Sequence, residues 1–116
     1  MYINFLKETL KALKTYNKTF DEVVWIGNSE YEISKEDFLK LADFMYHDGY
    51  GTTEIAEDLK IVGEDWWLER WEYDGSEGWQ LKKIPNRPSN PKEIKILCRR
   101  QKDNYWRGDN LKDFNS

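Results

Sequence analysis

The residues best suited to chemistry lie in one segment, 65–73, where aromatic and charged side chains follow one another closely. Side chains alternate between the two faces of a strand, so a strand here would direct Trp67, Trp71 and Tyr73 away from Trp66. Aromatic rings edged by carboxylates are typical of protein-binding hot spots. Together with the acidic residues that follow it, the segment predicts a binding surface made of Trp67, Glu69, Trp71, Glu72, Tyr73, Asp74 and Glu77. The alternative is a sheet covered on both faces, with these rings buried.

Catalysis and metal binding find little support in the residue types. The chain has one histidine, His47, and one cysteine, Cys98, which cannot form a closed zinc site without carboxylate ligands. The acidic loop 74–78 has the composition of a tight turn and lacks the regular spacing of a calcium loop. We predict no catalytic residue, no metal site and no cofactor, and hence a protein that is not an enzyme. Cys98 is expected to pack as a small apolar residue.

The charge is strongly separated along the chain. Basic residues exceed acidic ones by three in residues 1–20 and by six in 82–116, whereas residues 21–81 carry a net charge of −13. A surface this acidic would attract a cationic partner and repel phosphate. The alternative is that the acidic and basic segments neutralise each other in the fold.

The basic C-terminal stretch interleaves cations with aromatic rings, the combination that single-stranded nucleic acids require. This pattern offers RNA or DNA binding as an alternative function. The residues that would carry it are Lys95, Arg99, Arg100, Tyr105, Trp106 and Arg107.

Two helices are predicted in the first half of the chain. Apolar residues at positions 3, 6, 10 and 13 have helical spacing and favour an amphipathic helix over 2–16. Ser34 is a strong N-cap with Asp37 three residues later. The second helix is expected to bury Met45 and to end at Gly49.

Strands are expected between and after these helices. Turn residues at 27–29 predict a hairpin over 22–33, and β-prone segments at 59–62, 66–73, 79–84 and 94–98 are separated by glycines and prolines. The predicted fold is α+β: two helices packed on an antiparallel sheet of about four to six strands, in a single domain. Residues 1–100 are expected to form that domain and 101–116 a tail, either flexible or packed on the sheet.

No apolar run approaches the roughly 20 residues that cross a bilayer, and the N-terminal segment does not have the pattern of a signal peptide. We therefore expect no membrane association and a cytoplasmic location.

The run Trp66-Trp67-Leu68-Glu69-Arg70, continued by Glu72-Tyr73-Asp74-Gly75-Ser76-Glu77, resembles a group of uncharacterised small proteins encoded by phages and prophages of Gram-positive bacteria. The similarity covers roughly residues 55–85, and members of the group often have Trp at the position of Gly78. The resemblance implies a phage accessory protein in the cytoplasm of the bacterial host. Inhibitors of bacterial defence systems are common in this class, and no catalytic residue is implied.

Together these patterns favour a non-enzymatic protein that binds and inhibits a host defence protein. One form of this hypothesis is an anti-CRISPR protein that mimics DNA on an RNA-guided nuclease through its acidic residues. A second hypothesis is a pocket that sequesters a small signalling nucleotide, and the third is the RNA or DNA binding described above. A homodimer through Trp67 and Trp71, placed on an edge strand, is a further prediction.

Overall fold

The computed structural model of the chain describes residues 2–49, 51–98, 101, 108 and 110–116. Two compact units are present, Met1–Pro85 and Asn86–Ser116. In its described residues, the first unit contains two α-helices, a short 3₁₀-helix (Phe20–Glu22), a five-stranded antiparallel sheet and a two-stranded antiparallel sheet. This confirms the predicted α+β class. The proposed boundary between a domain over 1–100 and a tail over 101–116 stays a prediction.

The N-terminal segment begins as a strand rather than a helix. Strand β1 (Tyr2–Asn4) precedes helix α1 (Phe5–Thr15), and the Asn4 side chain caps α1 by accepting a hydrogen bond from the Lys7 N–H over 2.9 Å. The helix turns Phe5, Thr9 and Leu13 toward the core. Leu10, which was expected on the buried stripe, therefore lies on the exposed side.

The second helix is shorter than predicted. Helix α2 (Lys35–Leu41) begins as expected, with the Ser34 hydroxyl accepting a hydrogen bond from the Asp37 N–H over 3.0 Å. It ends at Leu41 rather than at Gly49, and the chain continues as strand β4 (Met45–His47). β4 pairs with β1, and Met45 is exposed on it rather than buried on a helix. This long-range pairing outweighs local helix propensity.

The larger sheet consists of five strands: β2 (Trp25–Gly27), β3 (Glu32–Ile33), β5 (Lys60–Val62), β6 (Trp66–Tyr73) and β7 (Ser76–Lys83). Their order is β3-β2-β5-β6-β7, and every neighbouring pair is antiparallel. A hairpin is present within the predicted range 22–33, but its first strand begins at Trp25, because residue 22 belongs to a 3₁₀-helix. The first three strands predicted after α2 are also present, and the third begins at Ser76 rather than at Trp79. β3 and β7 form the two edges of the sheet.

A two-residue loop joins β6 and β7. Tyr73 pairs with Ser76, so Asp74 and Gly75 form the loop, with φ angles of 49° and 86°. Positive φ at both loop positions is the pattern of a type I′ hairpin, which Asp-Gly favours. The prediction of a turn in the acidic loop is confirmed.

The core of the first unit lies where α1 and α2 meet one face of this sheet. Its fully buried apolar residues are Leu13, Ile26, Ile61 and Leu68. Phe5 stacks on Trp79 with ring centroids 5.8 Å apart. The Thr9 hydroxyl is buried between them, where it accepts a hydrogen bond from Trp79 Nε1 over 3.0 Å and donates one to the Phe5 carbonyl. The hydroxyl is satisfied, so its burial carries little cost.

In the second unit, residues 94–98 do not form the predicted strand. The side-chain oxygens of Asn115 and Gln101 accept hydrogen bonds from the N–H groups of residues 95–98 over 2.7–2.9 Å. Asn115 lies on helix α3 (Leu111–Asn115). These side chains take the donors that a strand partner would have used. Cys98 is exposed here, so the expectation that it packs as a small apolar residue is wrong.

Candidate functional site

The predicted aromatic surface on β6 has the expected alternation. Trp66 and Leu68 are buried in the core, and Trp71 and Tyr73 are exposed, at 38% and 79%. Trp67 is half-buried. The homodimer prediction assumed that Trp67 and Trp71 lie on an edge strand. This is wrong, because β6 lies between β5 and β7.

Both outward indoles make hydrogen bonds within the protein. Trp67 Nε1 donates to Glu69 over 2.6 Å, and Trp71 Nε1 donates to the Trp79 carbonyl over 3.2 Å. The Trp71 ring also packs closely on Gly78. A Cβ at Gly78 would therefore come within 2.9 Å of that ring. Trp71 thus covers a glycine in the edge strand β7, and only part of its ring is open to a partner.

Glu77 was predicted to lie on the binding surface, but it is buried. It is only 5% exposed, and its carboxylate accepts hydrogen bonds from the N–H groups of Glu54 and Ile55 over 2.8 and 3.2 Å. A buried carboxylate engaged in this way is closed to a partner. Glu72, Tyr73 and Asp74 remain exposed at the tip of the β6–β7 hairpin.

Glu77 belongs to a buried ionic network centred on Arg70. The Arg70 guanidinium donates from Nη2 to Glu77 over 3.0 Å and to the Tyr46 hydroxyl over 3.1 Å, and Nη1 lies 3.4 Å from Glu8. Its carbon lies 4.7 Å from the centroid of the Trp79 ring. Planar stacking and forked donation are the properties that distinguish arginine from lysine. The network joins α1, β4, β6 and β7.

Proton positions in this network follow from burial. The Tyr46 hydroxyl accepts from Arg70 and donates to Glu8 over 2.8 Å. Burial raises the pKa of Tyr46 well above its usual value, so the phenol keeps its proton. Burial also raises the pKa of Glu8, although hydrogen bonds from Tyr46 and the charge of Arg70 oppose the shift. These groups bond to one another, which indicates a structural role.

The first unit also contains an apolar cleft that the sequence did not predict. It has a volume of about 350 Å³ and lies between α2, the β2–β3 hairpin and the loop 54–59. Phe5, Phe38 and Ile55 are buried at its floor. Tyr31 and Leu41, 75% and 71% exposed, stand at its walls. These residues come from separate segments, and nothing in their spacing indicates that they meet.

The acidic residues of the central segment lie predominantly on the surface. Of the seventeen in residues 21–81, fourteen are exposed, whereas of the four basic residues in the same segment only Lys40 is exposed. Arg70 is inside the core, and Lys35 lies over the Phe20 ring with its Nζ 5.1 Å from the centroid. The fold therefore makes this segment's surface more acidic than its composition alone requires.

A second cleft, of about 470 Å³, is lined by Trp71 and is a candidate for the predicted nucleotide pocket. Lys11 of α1, Tyr16 directly after α1 and Trp79 also line it, which gives the cleft three aromatic rings and one cation. Three carboxylates line it as well, those of Glu8, Asp48 and Glu77. A lining with more carboxylates than cations disfavours a phosphate group.

Of the six residues predicted to bind nucleic acid, the structure describes only Lys95, which is exposed in the second unit. The other five, Arg99, Arg100, Tyr105, Trp106 and Arg107, lie outside the described residues. Nucleic-acid binding by this stretch stays a prediction.

None of the helices in the described part of the chain has the length and apolar composition needed to span a bilayer. In the same residues, no group of three or more histidine, cysteine, aspartate or glutamate side chains is arranged to hold a metal ion.

Comparison with known proteins finds no family, no curated protein and no solved structure that matches this chain. Its function is therefore inferred from its own residues and geometry.

Proposed function

We propose that this chain is a non-enzymatic binding protein that docks through its acidic surface onto a positively charged surface of a host protein and inhibits it. The observation that carries the proposal is the exposure of fourteen of the seventeen acidic residues in 21–81, with one exposed cation among them. A surface of one sign accelerates association with a complementary partner and repels partners of the same sign.

The class of partner follows from the charge. Proteins that bind nucleic acid present basic surfaces to phosphate, and an acidic protein can occupy such a surface. Together with the resemblance to phage-encoded proteins, this makes a bacterial defence protein the proposed target, with an RNA-guided nuclease as its specific form. The chain would then act in the cytoplasm of the bacterial host as a DNA mimic.

The positions of the charged side chains in the described residues support binding rather than catalysis. In the part of the chain that the structure describes, the ion pairs of Arg70 with Glu77 and Glu8 lie in the core and are used within the fold. The exposed carboxylates stand at the surface, where they are available to cations of a partner.

The test is capture of the host partner by the tagged full chain, followed by affinity measurements over a range of salt concentrations. The variant Glu69→Gln/Glu72→Gln/Asp74→Asn removes three charges while keeping the hydrogen-bond acceptor for Trp67 and a residue that tolerates the turn. We expect weaker binding and a smaller dependence of affinity on salt, because each removed charge reduces the electrostatic attraction.

The matched control removes charges of the opposite sign. Lys7→Gln/Lys11→Gln/Lys14→Gln alters three exposed positions on α1 and should leave the affinity unchanged or raise it. Equal affinity of the acidic-residue variant and the parent protein, at all salt concentrations, would rule out docking through this part of the acidic surface.

A further inference from the structure

The apolar cleft has the features of a docking site for a peptide segment. We infer that it accepts apolar side chains of a partner-protein segment that carries lysine or arginine beside them, an inference that rests on the proposed function. Its volume of about 350 Å³ is at the low end of the range for ligand pockets, which suits a few side chains better than a large ligand.

Charge complementarity identifies the occupant as cationic. The three segments that form the cleft walls, 27–33, 38–44 and 54–59, contain six acidic residues and one lysine. All six carboxylate residues are exposed: Glu30, Glu32, Asp43, Glu54, Glu57 and Asp58. Among them Glu32 and Glu54 line the cleft itself. An apolar floor with an acidic rim matches an amphipathic segment whose apolar face is flanked by positive charges.

Hydrogen bonds hold the walls of the cleft in place without an occupant. The Asn28 side chain accepts from the N–H groups of Glu30 and Tyr31 and donates to the Asp58 carboxylate over 2.8 Å, so it joins two of the walls. Two further hydrogen bonds, from the N–H groups of residues 54 and 55 to the buried Glu77 carboxylate, hold the wall 54–59. A preformed site loses less entropy when it binds.

The Arg70 network therefore serves the cleft indirectly. Arg70 holds the Glu77 carboxylate over 3.0 Å, and that carboxylate holds the backbone from which Glu54 and Ile55 reach the cleft. Arg70 and Glu77 are positioning residues for this site.

The binding experiment uses the isotope-labelled full chain and a short synthetic amphipathic peptide of leucine and lysine. We expect a dissociation constant in the micromolar range and NMR shift changes concentrated on amides of the three wall segments. Two comparison peptides are used. The first keeps the leucines and has glutamate in place of each lysine. The second has the composition of the amphipathic peptide in scrambled order. Both should bind at least about tenfold more weakly, because one lacks the charge and the other the apolar face.

Variants on one helix separate the cleft from its surroundings. Leu41→Lys changes an exposed wall residue and should weaken peptide binding by at least about tenfold, since the apolar surface that the bound peptide would cover on Leu41 is lost. Leu39→Lys makes the same change at an exposed position of α2 that does not line the cleft, and should leave affinity unchanged. Glu32→Gln should weaken peptide binding and reduce its salt dependence, because Glu32 lines the cleft. Glu36→Gln, which removes an exposed carboxylate of α2 that does not line the cleft, should leave both unchanged.

The inference is overturned if the scrambled peptide binds as well as the amphipathic one, if the shift changes fall outside the wall segments, or if Leu39→Lys and Leu41→Lys behave alike. It is also overturned if sedimentation shows a dimer that Leu41→Lys dissociates, since the occupant is then a second copy of the chain.

Failure here is distinguishable from failure of the proposed function. If Leu41→Lys binds the captured host protein with unchanged affinity while the acidic-residue variant does not, the acidic surface is the docking site and the cleft is not. If the cleft binds the peptide as expected but no charge variant changes host binding, the proposed function fails alone.

Discussion

The Arg70 guanidinium donates a hydrogen bond to the Glu77 carboxylate over 3.0 Å in the core, where the two side chains are only 4% and 2% exposed. Arg70 connects β6 to α1 through Glu8, and Glu77 connects β7 to the loop 54–59. One ion pair thus links the sheet to the wall of the apolar cleft.

Breaking this pair should cost much of the protein's stability. Arg70→Met leaves the Glu77 carboxylate buried without its cation, and loss of one partner of a buried pair typically costs about 3–5 kcal/mol. Urea unfolding of the variant and its parent measures the difference. The double variant Arg70→Met/Glu77→Gln should lose less than the sum of the single losses, because the orphaned charge is gone. If Arg70→Met lowers the free energy of unfolding by less than about 1 kcal/mol, the pair contributes little to stability and the prediction is wrong.

The raised pKa of Glu8 predicts a dependence of stability on pH. Its pKa in the folded protein lies above the ordinary value of 4.5, so the folded state binds the proton more tightly than the unfolded chain does. The contribution to stability is present below pH 4.5 and is lost as the pH rises through the folded pKa. Relative to Glu8→Gln, the parent protein should therefore lose unfolding free energy from acidic toward neutral pH.

Unfolding in urea at several pH values checks this difference. Lys7→Gln on the same helix serves as the control, because it removes a charged side chain from α1 and leaves the Glu8 carboxyl group in place. A parent-minus-Glu8→Gln difference that grows with pH would show that the hydrogen bonds to Tyr46 and Arg70 outweigh burial.

The close packing of Trp71 on Gly78 predicts that a single methyl group is harmful there. In Gly78→Ala the new Cβ would lie 2.9 Å from the indole ring, which must move and strain its hydrogen bond to the Trp79 carbonyl. Overpacking of this kind costs about 1–3 kcal/mol. Gly49→Ala is the matched control, because a Cβ there meets no atom of the described residues within 4 Å. Thermal unfolding and indole NMR signals measure both effects, and equal melting temperatures would refute the prediction.

The β6–β7 turn should depend on Gly75. Its φ of 86° is left-handed, and an L-residue with a Cβ loses roughly 1–2 kcal/mol in that region. Gly75→Ala should therefore destabilise the protein by about this amount in urea unfolding. Asp74→Asn should have a small effect, since asparagine also adopts the left-handed conformation. A larger loss in Asp74→Asn than in Gly75→Ala would argue against the turn assignment.

Local signals predicted several elements correctly. The Ser34 cap, the Asp-Gly turn and the alternation of Trp66 and Leu68 depend on residues within a few positions of one another. The same alternation places Arg70 on the core face, so its inward direction could have been read from the sequence. Its partners could not, since Glu8 is 62 positions away and neither spacing nor composition relates them.

The sequence by itself determined where α2 begins, how the β6–β7 hairpin turns and how much negative charge the chain carries, because these follow from neighbouring residues and from simple counting. The tertiary structure alone decided that α2 ends at Leu41, that Glu77 is buried and that three distant segments enclose an apolar cleft. The physical reason is that strand pairing and burial depend on contacts between residues far apart in the chain, and these override local preference wherever the two conflict.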